Sequence, residues 1–245
     1  MKKNLFYFLA ASLVAFSSCS KDDDDSSTVL LLPKTEKYTY ASHPDDSSTI
    51  SYVYDGNKIV SLTYDDGSKT VFTYAGDFIS KAVYTESYEG ATHSTTTTFA
   101  YENNKLKSYL EVSSDNSSSK KKTYVYNANG TISTVTVLIN PVTQDEIQDS
   151  SSVLTLDSNG NIIKAEFDDY SNTIEYDTKY SPFKNVLGYT LLLDSDIFDK
   201  EANSLNNVVK ITEKTGEVTV YENTYNSNNY LLKSVSGDET YEYTY

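Results

Sequence analysis

The amino-acid sequence predicts an all-β protein: a repetitive antiparallel meander of β-hairpins in a curved or partly wrapped sheet, preceded by a signal peptide and a flexible tether. Three observations carry this prediction. An aromatic pair, a turn and an aliphatic residue recur at nearly constant spacing, tyrosine is used 23 times in 245 residues, and helical periodicity is nearly absent. The chain divides into residues 1–18, a signal peptide, 19–35, a cysteine with an acidic flexible tether, and 36–245, a tyrosine-rich β-repeat domain. A domain of about 200 residues has the length for one sizeable all-β core.

The N-terminus supplies the address. Lys2 and Lys3 precede a mostly apolar run from Leu5 to Phe16, which ends in Ser17-Ser18-Cys19. A membrane-spanning helix needs roughly 20 apolar residues, so this shorter run reads as a signal peptide. Phe16-Ser17-Ser18-Cys19 resembles the lipobox of bacterial lipoproteins, with Phe16 where Leu is usual. The resemblance implies diacylation of Cys19, which is the one cysteine of the chain, and hence membrane attachment through acyl chains. The following Ser20, Lys21, Asp22, Asp23, Asp24 and Asp25 cannot pack, because four adjacent carboxylates repel one another and offer no apolar face. They form a solvated tether, and they also resemble the export signal of Bacteroidota surface lipoproteins. That points to the outer membrane with the protein facing the cell exterior, the periplasmic face being the alternative.

The repeat follows. Tyr52-Val53-Tyr54 leads through Asp55-Gly56-Asn57-Lys58 to Ile59, Phe72-Thr73-Tyr74 through Ala75-Gly76-Asp77-Phe78 to Ile79, and Phe99-Ala100-Tyr101 through Glu102-Asn103-Asn104-Lys105 to Leu106. Tyr124-Val125-Tyr126 leads to Ile132, Leu154-Thr155-Leu156 to Ile162, and Thr224-Tyr225 to Leu231. Each unit reads as two strands around a tight turn, where Gly and Asn tolerate the positive φ that such turns demand. Alternation puts Tyr52, Tyr54, Val60, Leu62 and Tyr64 on one face, with Ser51, Ser61 and Thr63 on the other. The pattern predicts roughly 14 to 18 short strands. Residues 113–122, with Lys120-Lys121-Lys122, and 140–150 read as solvated hairpin ends, and Asp194 to Asn206 as a short helix or a long loop.

Units of this form resemble tyrosine-aspartate (YD, or Rhs-type) repeats. Together with Tyr176-Asp177, Ser181-Pro182-Phe183-Lys184, Leu187-Gly188-Tyr189, Asn206-Asn207-Val208-Val209-Lys210 and Tyr225-Asn226, they resemble an uncharacterised family of Bacteroidota surface lipoproteins. The resemblance spans about residues 36 to 245. It implies the β-repeat fold and carries over no catalytic residue.

Composition and motifs bound the chemistry. The net charge is −15 and every cationic side chain is Lys, so the Arg contacts and basic face that serve nucleic acid are missing. One cysteine permits no disulfide framework and no cysteine-rich zinc site. His43 and His93 are the available imidazoles, no Gly-x-Ser-x-Gly elbow accompanies them, and both read as surface residues. Carboxylates pair in sequence at Asp168-Asp169, at Asp194 with Asp196 and at Glu166 with Asp168, and a glycosidase needs such a pair across a groove. Asp157-Ser158-Asn159-Gly160 and Asp194-Ser195-Asp196 offer oxygen ligands, yet neither completes a calcium loop, and turn chemistry explains them better. No cofactor or metal site is expected. The reading is a non-catalytic envelope module that binds a glycan or an envelope protein. A polysaccharide-processing enzyme and a structural surface spacer are the alternatives. A groove with facing carboxylates favours the enzyme, a broad tyrosine face favours binding, and a Ser/Thr/Lys face favours the spacer.

Overall fold

The computed structural model describes residues 30–115, 119–198 and 202–245. Cys19 and the segment Ser20 to Asp25 lie outside the described residues. Strands β1 (Thr35–Tyr40), β2 (Ser48–Asp55), β3 (Lys58–Tyr64), β4 (Lys69–Ala75), β5 (Phe78–Tyr88), β6 (Ala91–Glu102), β7 (Lys105–Ser113), β8 (Ser119–Tyr126) and β9 (Ile132–Ile139) form the first part of one antiparallel meander. It continues through β10 (Glu146–Leu156), β11 (Ile162–Phe167), β12 (Ser171–Tyr176), β13 (Val208–Glu213), β14 (Val218–Val220), β15 (Glu222–Tyr225), β16 (Leu231–Ser236) and β17 (Glu239–Thr244). The 17 strands make a single sheet, and β17 returns to pair with β1 from Thr35↔Thr244 to Tyr40↔Glu239. Strands β14 and β15 are successive halves of one path. The first pairs with β13 and the second with β16, and Tyr221 between them donates its N–H to Val209. The sheet thereby curls into a nearly closed barrel.

The repeat has a physical basis that alternation alone does not show. In β2–β3, Val53 opposes Ser61 and Tyr54 opposes Ile59, so that Val60 is skipped. The same shift recurs at Tyr74, Tyr101, Leu156, Tyr176 and Tyr225. Each is a β-bulge, just after a tight turn except at Tyr176, where the long β12–β13 connection intervenes; a bulge bends the strand and increases its twist, and repetition of that bend closes the sheet. The bulge also corrects the predicted faces. Val60 is exposed, whereas Ile59 is fully buried and Ser61, in register between Val53 and Val71, is buried too.

A tyrosine hydroxyl locks five of these six bulges to a neighbouring hairpin, and Asn223 Nδ2 serves the Val208 carbonyl at the sixth. Tyr101 donates to the Ile79 carbonyl at 2.9 Å, Tyr176 to Ile162 at 3.0 Å and Tyr245 to Leu231 at 2.7 Å. Tyr74 accepts from the Ile59 N–H at 3.1 Å, and the Leu106 N–H serves Tyr126 in the same way. The backbone groups that the bulge takes out of the ladder are satisfied by these phenols, as buried polar groups must be. The aliphatic residues beneath them, Ile59, Ile79, Leu106, Ile132, Ile162 and Leu231, are all buried.

Between β12 and β13, residues 177–198 and 202–207 run inside the barrel as a plug, with a 3-10 turn at Tyr189–Leu192. Phe183 meets Tyr52 edge-on at 5.3 Å between ring centroids and Phe198 stacks on Phe72 at 5.3 Å. Phe183, Tyr189 and Phe198 contact one another, so one aromatic cluster joins strands on different sides of the wall. Gly188 lies against the β4–β5 turn with φ +78°, where a Cβ would come within 3.2 Å of the Asp77 carbonyl oxygen. Glycine is therefore required at this close approach.

The wall is apolar inside and mixed outside. Lys69, Lys81 and Lys107 alternate with exposed valines such as Val53 and Val71 on the outer face, among Ser and Thr. Correspondingly, the tyrosine rows predicted as a possible binding face are inside. The two rims also differ. Residues 30–34, both ends of the plug, Tyr245 and the bulged turns share one rim, the entry rim, where Lys34 donates to the Thr244 carbonyl. The loop 41–47 and the turns 65–68 and 140–145 stand on the opposite, distal rim.

Two outcomes follow. Replacing Tyr101 by Phe should lower unfolding free energy by about 1 kcal/mol, the worth of one hydrogen bond, and by Ala by roughly 3 to 5 kcal/mol, measured by urea unfolding. Second, burial raises the Tyr74 hydroxyl from 10.0 to about 12 and pushes those of Tyr52, Tyr101 and Tyr243 up as well. The folded chain thus holds phenolic protons that the unfolded chain releases from pH 10.0 upward. Stability is complete below that pH and falls as pH rises through it. Tyrosinate absorbance should accordingly rise in one steep step coincident with loss of near-UV dichroism. Gradual tyrosinate formation near pH 10 with the fold intact would contradict the buried ladder.

Candidate functional site

Where the plug stops short of filling the barrel, a cavity of about 440 Å³ remains in the distal half, between β3 to β7 and plug residues 195–197. The wall contributes inward-facing Tyr64, Tyr84 and Tyr109 together with the hydroxyls of Ser68, Thr70, Thr95 and Thr97. Strand alternation places them there, since Thr70, Tyr84 and Thr95 are consecutive partners across β4, β5 and β6. Tyr64 and Tyr84 meet at a right angle, 6.4 Å between centroids.

Three carboxylates border this cavity: Asp66, Glu111 and Asp196. Asp66 sits in the β3–β4 turn and accepts from Ser68 N–H at 2.8 Å and Ser68 Oγ at 2.7 Å. Those bonds hold its carboxyl below the ordinary value of 3.8, so it is charged at neutral pH. Glu111 has Lys120 at 3.5 Å. Asp196 is exposed to the cavity with no ion pair among the described residues.

The plug delivers Ser195 and Asp196 by a built device. Leu193 takes a left-handed φ of +53°, a strained conformation for a non-glycine residue, and its carbonyl accepts from Asn203 N–H at 2.8 Å and Nδ2 at 2.9 Å. Asp194 then ties the plug to the wall, accepting from Lys122 Nζ at 2.5 Å and from Tyr124 at 2.8 Å. Beyond that anchor, Ser195 is 2% exposed and its Oγ has no hydrogen-bond partner. Tyr109 is 6% exposed, and burial and the nearby Asp196 and Asp194 push its ionisation up. Buried polar groups are normally bonded, so the unbonded Ser195 Oγ on the cavity wall marks a surface prepared for a polar ligand.

A second, smaller cavity of about 250 Å³ lies between β12–β13 and β16–β17. Asn207 and Asn223 line it, each with a buried Oδ1 lacking a partner. Its remaining lining is largely apolar or aromatic, including Ile174, Ile211 and Tyr243.

Sequence-based candidates fare unevenly. Asp194 and Asp196 are separated in role, the first buried in an ion pair and the second facing the distal cavity. Glu166 is paired with Lys164 on the exposed wall at 2.6 Å, and Asp168 accepts from Ser151 at 3.2 Å. Asp157 accepts from Asn159 and Asn161 N–H within its own turn, as turn chemistry predicts. His43 is exposed beside Ser42 at 2.9 Å, and His93 is exposed on β6. Lys120 to Lys122 do not form a solvated hairpin end: they belong to β8, and alternation turns Lys122 inward to Asp194. Among the described residues, no group of three or more His, Cys, Asp or Glu converges as a metal site. Sequence reasoning missed Tyr109, which belongs to no motif, and read Ser195 only within the Asp194-Ser195-Asp196 turn; only the meeting of wall and plug sets them together.

No family model matches the chain and no curated protein does. Among solved structures it is similar to a porin-like protein from Bacteroides vulgatus ATCC 8482, with TM-score 0.52 and 10% identity over 88% of this chain and 98% of that one. At that identity the likeness concerns the fold, an antiparallel β-barrel.

Replacing Lys122 by Ala should destabilise the protein by about 3 kcal/mol, since it leaves Asp194 buried without its cation. Urea unfolding of Lys122→Ala beside Lys122→Ala/Asp194→Asn checks this, the double variant recovering part of the loss.

Proposed function

We propose that this chain is a lipid-anchored envelope barrel that binds a hydroxyl-rich glycan in its distal cavity without transforming it. The observation that carries the reading is the buried, unbonded hydroxyl of Ser195, which faces Tyr109 across a cavity lined largely by Ser, Thr and Tyr. Hydroxyl and aromatic surfaces suit sugar rings, which present both apolar faces and hydrogen-bonding edges.

The charged outer wall supports attachment at Cys19 over insertion of the barrel. Transmembrane barrels turn an apolar band toward lipid and a polar lining inward, and the alternation here runs the other way. Likeness to a porin-like barrel and the resemblance to Bacteroidota surface lipoproteins both support an envelope location. The described chain starts at the entry rim, so a tether from Cys19 leaves the distal cavity facing away from the bilayer. Ser20 to Asp25 would then serve as both tether and export signal.

Two experiments test this. Cys19→Ala should move the protein from the membrane fraction to the soluble one, and changing Asp22 to Asp25 to Ala should remove it from protease reach on whole cells. Ser195→Ala and Tyr109→Phe should each weaken binding on a glycan array by about 5- to 10-fold, the worth of one hydrogen bond. Melting temperature should stay near the parent's. Loss of fold without change in binding would argue for the spacer.

A further inference from the structure

Resting on the binding reading just given, we infer that the distal cavity selects saccharides bearing a free ammonium group over neutral ones. Among the described residues Asp196 meets the cavity with no ion pair, and Asp66 borders it held by Ser68. Glu111 adds a third carboxylate, and the one ammonium paired with it, Lys120, stands 3.5 Å away. On the same strand Lys121 pairs with Glu146, and Lys122 is already engaged by Asp194 and Tyr124 in the anchor beneath Ser195. The lining therefore holds negative charge in excess.

A neutral sugar would leave that excess uncompensated while displacing the water that solvates it. An ammonium on the ring instead supplies donors and charge to Asp196. The aromatic rings strengthen the preference, because the Tyr64, Tyr84 and Tyr109 faces attract cations as well as sugar faces. The carboxylates do not converge as a metal site, so a dispersed organic cation fits them better than a bare ion. Ser195 Oγ, buried and unbonded, remains for a ring hydroxyl, and this second group distinguishes a saccharide from a simple amine.

Calorimetry on the full acylated chain in detergent tests the inference, with glucosamine, N-acetylglucosamine and glucose tetrasaccharides and with spermidine as probes. The expected result is at least tenfold tighter binding of the glucosamine tetrasaccharide than of either neutral one. Asp196→Asn should remove that ratio, and Asp196→Glu should restore most of it. Equal affinity for charged and neutral tetrasaccharides would overturn the charge selection and leave the glycan reading standing. Spermidine binding as tightly as the glucosamine tetrasaccharide would overturn the saccharide requirement. Silence with all three saccharides would overturn both readings.

Discussion

The tyrosine at the end of most hairpins does two jobs at once. Its ring fills the barrel near the entry rim, and its hydroxyl bonds the backbone that the adjoining β-bulge has released, as Tyr101 does at Ile79 and Tyr176 at Ile162. A bulge without that bond would leave a buried carbonyl or N–H unsatisfied, at a cost of about 1 to 3 kcal/mol each. The bulge in turn supplies the bend that a flat meander lacks, and without it β17 would not reach β1. Curvature, closure and the internal space thus depend on one repeated contact.

The plug is the second consequence. A barrel of this many strands encloses more volume than its own side chains fill, and Phe183, Tyr189 and Phe198 occupy the middle of it. The repeat gives the plug a place to enter: Tyr225 donates to the Asp177 carboxylate where the plug leaves β12, and Tyr74 donates to the Leu187 carbonyl further along. At the other extremity the Lys122–Asp194 pair halts it. The distal cavity is the space left above that stop, and its chemistry comes from both parts, the carboxylates Asp66 and Glu111 from the wall and Ser195 with Asp196 from the plug.

Fold and chemistry are therefore separated along the barrel. The entry half is repetitive and tied through its tyrosines, whereas the distal half departs from the repeat and carries acidic, hydroxyl and unbonded groups. Active and binding sites commonly lie where a scaffold leaves its own regularity.

The hairpins, their tight turns and the identity of the buried aliphatic residues were legible in the sequence, because period-2 alternation and positive-φ turn residues are local physics. Asp157 is an example: its carboxylate bonds Asn159 and Asn161 within one turn, so neighbours in sequence suffice. Val60 and Lys122 show the limit. A bulge of one residue reverses which side chain faces inward, and an apparent basic tip becomes a buried anchor once Asp194 arrives from 72 positions away. Tertiary structure alone decided that the sheet closes, that residues 177–198 and 202–207 enter it, and that Ser195 and Tyr109 share a cavity. Each of these depends on contacts between distant residues, whose pairing is set by packing volume and hydrogen-bond satisfaction and leaves no periodic trace in the chain.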